Sequence, residues 1–164
     1  MRQTKQLKAI AYHEAGHAVA AKHHGLAAKS LSIIPDQNSL GRYIHQPYFR
    51  NIDPSYDASP RVQRRIENMV IVSLAGPQAQ RRCHPRGHWK RNAQGDWKQV
   101  VELLGYLCGD EKAVGLYLAL LDYRACSFLN QPDVWECIGV VADALLAHKE
   151  LKGKQITEII ETHW

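Results

Sequence analysis

The chain has 164 residues, 45% of them hydrophobic and 23% charged, values ordinary for a soluble globular protein that folds as one domain over residues 1–164. Its longest apolar run, Val114 to Leu121, is far too short to span a bilayer, and charges interrupt the N-terminus where a secretory signal needs an unbroken apolar core. The formal net charge of +5 is unevenly spread, with no Asp or Glu between Asn68 and Gly95.

The first predicted element is a helix from about Thr4 to a stop at Gly25, with Leu7, Ile10, Ala11, Ala18, Val19 and Ala21 at apolar or small positions. It carries His13-Glu14-Ala15-Gly16-His17, an HExxH sequence. Residues four apart share a helix face, so His13 and His17 can offer two imidazole nitrogens to one metal ion. Glu14 is then a neighbour of that metal and not a ligand. A carboxylate there can take a proton from a water whose acidity the metal has raised, and pass it to a departing amine. The plainer alternative is an amphipathic helix with two histidines. Gly16 costs helix propensity in mid-motif, which predicts close packing of a neighbour against it.

After Gly25, Ser30-Leu31-Ser32-Ile33-Ile34 reads as a short strand ended by Pro35, Asp36 to Ser39 as a turn, and Gly41 to Gln46 as a returning strand. Such a hairpin either caps the helix or gives an extended substrate a sheet edge beside the metal. Pro47 to Ser59 reads as a surface loop. Ser59-Pro60 then starts a core helix carrying Val62, Ile66, Met69, Val70 and Leu74 up to Gly76-Pro77. In Arg81 to Arg91, Cys83, His84 and His88 have no familiar metal spacing, and the arginines around Trp89 read more readily as solvated surface than as a nucleic-acid site. From Asp96 the chain reads as helical. One segment carries Val100, Val101, Leu103, Leu104 and Leu107, and another starts at Asp110 with Val114, Leu116, Leu118, Leu120 and Leu121. A third begins at Pro132-Asp133 with Val134, Trp135, Ile138, Val141, Leu145 and Leu146, and a short last helix holds Ile156, Ile159 and Ile160. The expected fold is mainly α with one small inserted β-hairpin. No C-x-x-C pair occurs, so Cys108, Cys126 and Cys137 are expected as reduced, mostly buried thiols of a cytoplasmic protein.

A catalytic zinc takes three protein ligands and leaves a position for water. His23 and His24 follow too closely on the same helix. Asp96, Glu102, Asp110, Glu111, Asp122, Asp133 and Glu136 remain as acidic candidates, and for Asp96 a helix N-cap is the structural alternative.

The order of AYHEAGHAVAA, SIIP, LGRY, SLAGPQAQ, QGDWKQV and ALLAHKELKGKQITEII, from Ala11 to about Ile160, resembles the peptidase domain of the FtsH family of membrane-anchored, ATP-dependent zinc metalloproteases. HEAGH is the specific part. The resemblance implies that His13, His17 and Asp96 bind Zn²⁺ and that Glu14 is the base. It departs from the family in having no phosphate-binding loop and no membrane span, and in carrying Gln78, Gln80 and arginines where the family has acidic residues. Family members form hexameric rings to which the motor contributes, so the resemblance sets no oligomeric state here.

The expected function is a zinc-dependent endopeptidase acting on flexible or unfolded polypeptides, with folded substrates requiring a separate ATPase. The competing readings are a catalytically silent, metal-containing binding or regulatory protein that works with a partner, and, less favoured, a nucleic-acid binder using Arg81 to Arg91.

Overall fold

The computed structural model describes residues 2–35, 37, 39–45, 47, 49 and 51–164, and only the backbone of Arg2 and Gln3. Among these residues the chain forms seven helices and three strands, so the mainly α expectation holds. The expected turn at Asp36 to Ser39 falls partly outside the described residues, at Asp36 and Asn38. So do Gln46 at the end of the returning strand and Tyr48 and Arg50 in the following loop.

Helix α1 (Arg2–His23) is the centre of the fold. Its small residues, Ala9, Ala11, Ala15, Ala18, Ala20 and Ala21, are all buried, and they let neighbouring backbones approach on several sides. It ends at Gly25 (φ 67°), where the Leu26 amide donates to the Ala21 carbonyl and the Gly25 amide to the Lys22 carbonyl. This is a left-handed glycine stop, as the sequence predicts.

Helix α2 (Pro60–Cys83) packs along α1 more extensively than any other element. Ser59 caps it by accepting from the Val62 amide, and Val62, Ile66, Met69, Val70 and Leu74 are buried as expected. It does not stop at Gly76-Pro77 but runs on to Cys83. A proline's ring crowds the backbone N–H and the Cβ of the residue before it, and Gly76, with no Cβ, removes the second of these clashes where the helix runs through. The predicted close packing at Gly16 is present: a Cβ there would stand 2.7 Å from the Ala75 carbonyl oxygen and 2.8 Å from the Ala79 methyl.

Beyond a short α3 (Trp89–Asn92), α4 (Gln94–Leu104) and α5 (Glu111–Leu129) cover the other side of α2. Helix α6 (Pro132–His148) packs on α1, and α7 (Gly153–His163) closes the chain against α6 and the sheet. Asp110 caps α5 by accepting from the Ala113 amide. Of the apolar residues expected there, Leu121 is buried while Leu116 and Leu120 face out. Positions two apart cannot share one helical face. Val101 on α4 faces out as well.

The expected hairpin is present as β1 (Ala28–Ser32) and β2 (Arg42–His45), antiparallel with Leu31 opposite Tyr43. A third strand, β3 (Glu150–Lys152), pairs antiparallel with the other side of β1 and sets Leu151 opposite Leu31, so the sheet order is β2-β1-β3. Both leucines are buried against the helices. All four cysteines are free thiols; Cys137 is buried, while Cys108 and Cys126 are only half-buried. No described helix is long and apolar enough to cross a membrane.

Candidate metal centre

Three elements converge beside the middle of α1. His13 and His17, one turn apart, point their rings the same way, with centroids 4.8 Å apart. The first turn of α4 brings Asp96 over them. Its Oδ2 lies 3.1 Å from His13 Nε2 and its Oδ1 3.2 Å from His17 Nε2. Asp96 is therefore not the α4 N-cap, a position held by Ala93 with no side-chain bond. The other acidic candidates lie elsewhere. Asp110 is a cap, Asp122 accepts from Gln78, Glu102 faces Lys98, and Glu111, Asp133 and Glu136 are exposed. His23 and His24 turn away and pack on Phe128.

Both imidazoles are fixed from behind. His13 Nδ1–H donates to Gln80 Oε1 at 2.9 Å, and His17 Nδ1–H donates to the Val72 carbonyl at 2.8 Å, both from α2. With the Nδ1 proton engaged from behind, each Nε2 faces Asp96 and is the nitrogen that a metal ion would take, once it has given up any proton it shares with that carboxylate. Tyr43 of β2 stacks on His17 with centroids 5.3 Å apart, and a methyl at Gly76 would overlap the His17 ring.

The three donor atoms lie within 4.8 Å of one another, and this is the one group of His, Cys, Asp and Glu among the described residues that could hold a metal ion. Cys83 and His84 line a different cleft. Two oriented nitrogens, one carboxylate and a buried setting fit a divalent ion such as zinc with room for a further ligand.

Charge coupling in the cluster is strong. Burial opposes a charged His17, but Asp96, with smaller help from Glu14 and the Val72 carbonyl, raises it to about 9. Burial pushes Asp96 up, yet His17 and His13 together hold it well below the usual carboxylate range. Glu14 is buried, and that desolvation raises its carboxyl against the opposing pull of His13 and His17. A Cβ at Gly41 would stand 2.5 Å from Glu14 Oε1, so the β1–β2 connection passes directly over this carboxylate.

All four groups line one open cavity of about 740 Å³, with β2 and the α3–α4 segment as its walls and Arg42, Arg91, Asn92, Gln94 and Gln99 around it. No protein-family model matches this chain, and no curated protein matches it.

Gln80, the Val72 carbonyl, Tyr43 and the two glycines over the site were not identified as parts of it from sequence. For Gln80 the one available signal is an amide four residues beyond Gly76 on an otherwise small, apolar face.

Proposed function

We propose that the chain is a zinc-dependent endopeptidase of the FtsH-peptidase type, hydrolysing peptide bonds in flexible or unfolded polypeptides. The observation that carries this reading is the aim of His13 Nε2, His17 Nε2 and the Asp96 carboxylate into one cavity that also holds the Glu14 carboxylate. His13, His17 and Asp96 would hold the metal, which when bound supplies Lewis-acid polarisation of a carbonyl and acidifies water.

The chain's own residues do the rest. The scissile peptide lies in the cavity along the β2 wall, with the amides of Asn92, Gln94 and Gln99 opposite. Glu14 removes a proton from the attacking water and returns it to the departing amine nitrogen. Its desolvated position favours the protonated form that the second step needs, and the positive charge of a loaded centre favours the ionised form that the first needs. Gln80 and the Val72 carbonyl keep the two imidazoles in the tautomer that leaves Nε2 available. Folded substrates would have to be unfolded by a separate ATPase.

The test is cleavage of an unfolded protein such as casein by zinc-loaded material beside the Glu14→Gln variant, with metal content measured on both. The variant should keep its zinc and lose about 10²-fold or more of the rate. Undiminished cleavage by Glu14→Gln, or loss of its zinc, would refute the assigned role. Bound zinc with no cleavage by the native sequence would point to the silent binding protein. Metal analysis of purified protein also separates zinc from iron, which uses the same two-histidine, one-carboxylate donor set.

A further inference from the structure

Two stretches without acidic residues meet in space. No Asp or Glu precedes Glu14, and none lies between Asn68 and Gly95. The packing of α1 on α2 brings them together around a cleft of about 500 Å³, whose walls carry Lys5, Lys8 and Tyr12 from α1, Arg82 and His84 from the end of α2, and Trp135 from α6. This cleft and the metal cavity are built on the same two helices, α1 and α2, but on different faces of α1, with no described lining residue in common. From His84 the chain turns through Gly87 into α3, whose Arg91 lines the metal cavity itself.

Aromatic rings hold several of these cations in place. The Arg82 guanidinium lies 4.0 Å from the Trp135 ring centre, Arg81 5.3 Å and Lys90 5.6 Å from that of Trp89, and Lys8 5.7 Å from that of Tyr12. Such contacts position a cation without neutralising it. Among the described residues, none of Lys5, Lys8, Arg82, Lys90 and Arg91 forms an ion pair with an acid. Asp143 of α6 acts on the Tyr12 phenol, while the described residues that line the cleft itself include Lys5, Lys8 and Arg82 and no acid.

We propose that this basic cleft, with the strip leading from it to Arg91, docks an acidic, Asp/Glu-rich segment of the polypeptide whose adjoining residues enter the metal cavity. The substrate class follows from charge complementarity and from the basic stretch of chain, His84 to Arg91, that runs from one cavity to the other, and it rests on the peptidase reading above. A nucleic acid is the weaker occupant. Sequence-tolerant nucleic-acid binding uses open aromatic faces for base stacking, whereas Trp135 is engaged by Arg82 and Tyr12, and Trp89 by Arg81 and Lys90.

The test uses the full chain carrying Glu14→Gln, so that nothing is consumed, and the fluorescence anisotropy of a labelled flexible neutral peptide with and without an appended run of glutamates. The acidic peptide should bind about tenfold or more tightly than the neutral one at low salt, and added salt should shrink that advantage. Lys5→Glu with Lys8→Glu should abolish the preference, and Lys5→Gln with Lys8→Gln should reduce it partly. Both lysines are exposed, and a melting curve on each variant checks folding. Equal binding of the two peptides, or a preference unchanged by charge reversal in a folded variant, overturns the proposal. So does single-stranded DNA that binds more tightly than the acidic peptide and is lost with the same reversal. In zinc-loaded protein with Glu14 intact, the glutamate run should lower the KM for cleavage of the attached chain. A peptide that docks through the lysines yet is never cut refutes the peptidase reading and leaves the docking surface standing.

Discussion

At the scale of single residues, the candidate centre depends as much on what lies behind the imidazoles as on what they face. Gln80 Oε1 accepts from His13 Nδ1–H, and without it the ring is free to change tautomer or rotate away from Asp96. Gln80→Leu should therefore weaken metal binding about 10- to 100-fold in a chelator competition, while Gln80→Glu, which keeps an acceptor, should weaken it less. An affinity untouched by Gln80→Leu would remove Gln80 from the site. His17 gives a second prediction. Asp96 raises it to about 9, so at neutral pH the metal-free protein holds a proton on the nitrogen that the metal needs. Metal binding should release that proton, and this group alone should lower the apparent affinity about tenfold for each pH unit below 9. Calorimetry in buffers of different ionisation enthalpy counts the proton. The same shift predicts how the metal-free protein responds to pH. Its folded value exceeds the unfolded value of about 6.5, so the His17 contribution is complete below about 6.5 and disappears as pH rises through 9. The melting temperature of metal-free protein should fall across that window.

At the scale of elements, the α1–α2 crossing determines whether the site exists. A Cβ at Gly16 would meet the Ala75 carbonyl and the Ala79 methyl, and one at Gly76 would overlap the His17 ring. Gly16→Ala should cost about 1–3 kcal/mol by forcing the helices apart. Gly76→Ala should cost a similar amount and also abolish metal binding, because it displaces a ligand directly. Gly115→Ala on α5, where a Cβ meets nothing within 4 Å and which does not line the metal cavity, should keep metal binding and not lower the melting temperature, and is the control. These helices were legible in the sequence because their apolar positions recur at helical spacing and because Ser59, Asp110 and Gly25 stand at their ends. Strand β3 was not, since the three residues Glu150, Leu151 and Lys152 carry too little alternation to be read. The continuation of α2 through Pro77 was hidden by a sound rule whose steric cause is reduced after glycine, which has no Cβ for the ring to meet. Asp96 was ambiguous because an aspartate near a helix start suits a cap as well as a ligand; resemblance favoured the ligand, and three-dimensional position removes the cap. Gln80 was illegible for a different reason: its partner, His13, is 67 residues away.

At the scale of the whole molecule, the end of the chain returns to the end of α1. Trp164 stacks on His23 with ring centres 5.4 Å apart, Phe128 of α5 packs beside both, and Lys22 pairs with Glu161 at 2.6 Å. Helices α1, α5 and α7 thus meet at a junction that also takes in His24, which lies against Phe128 and His23. Burial above all, then the charges of His23 and Arg124, lowers His24 to about 4. The unfolded chain binds a proton at a histidine near pH 6.5 while the folded chain refuses it until about 4, so between those values the unfolded state holds more protons. Stability should therefore fall as pH drops from 6.5 to 4, and the loss should level off below that, where both states are protonated. Asp96 acts in the opposite pH sense to His17: its depressed carboxyl loses its contribution only as pH falls below the usual carboxylate range, under the His24 window. Metal-free protein keeps ligand loss out of the comparison. In thermal melts across pH 4–7, His24→Gln should flatten the acid limb relative to the native sequence, because the replacement has no proton to bind in either state. If both proteins lose melting temperature in parallel, the acid sensitivity of this junction lies in other groups, and the packing of Phe128 and Trp164 on α1 does not depend on a neutral His24.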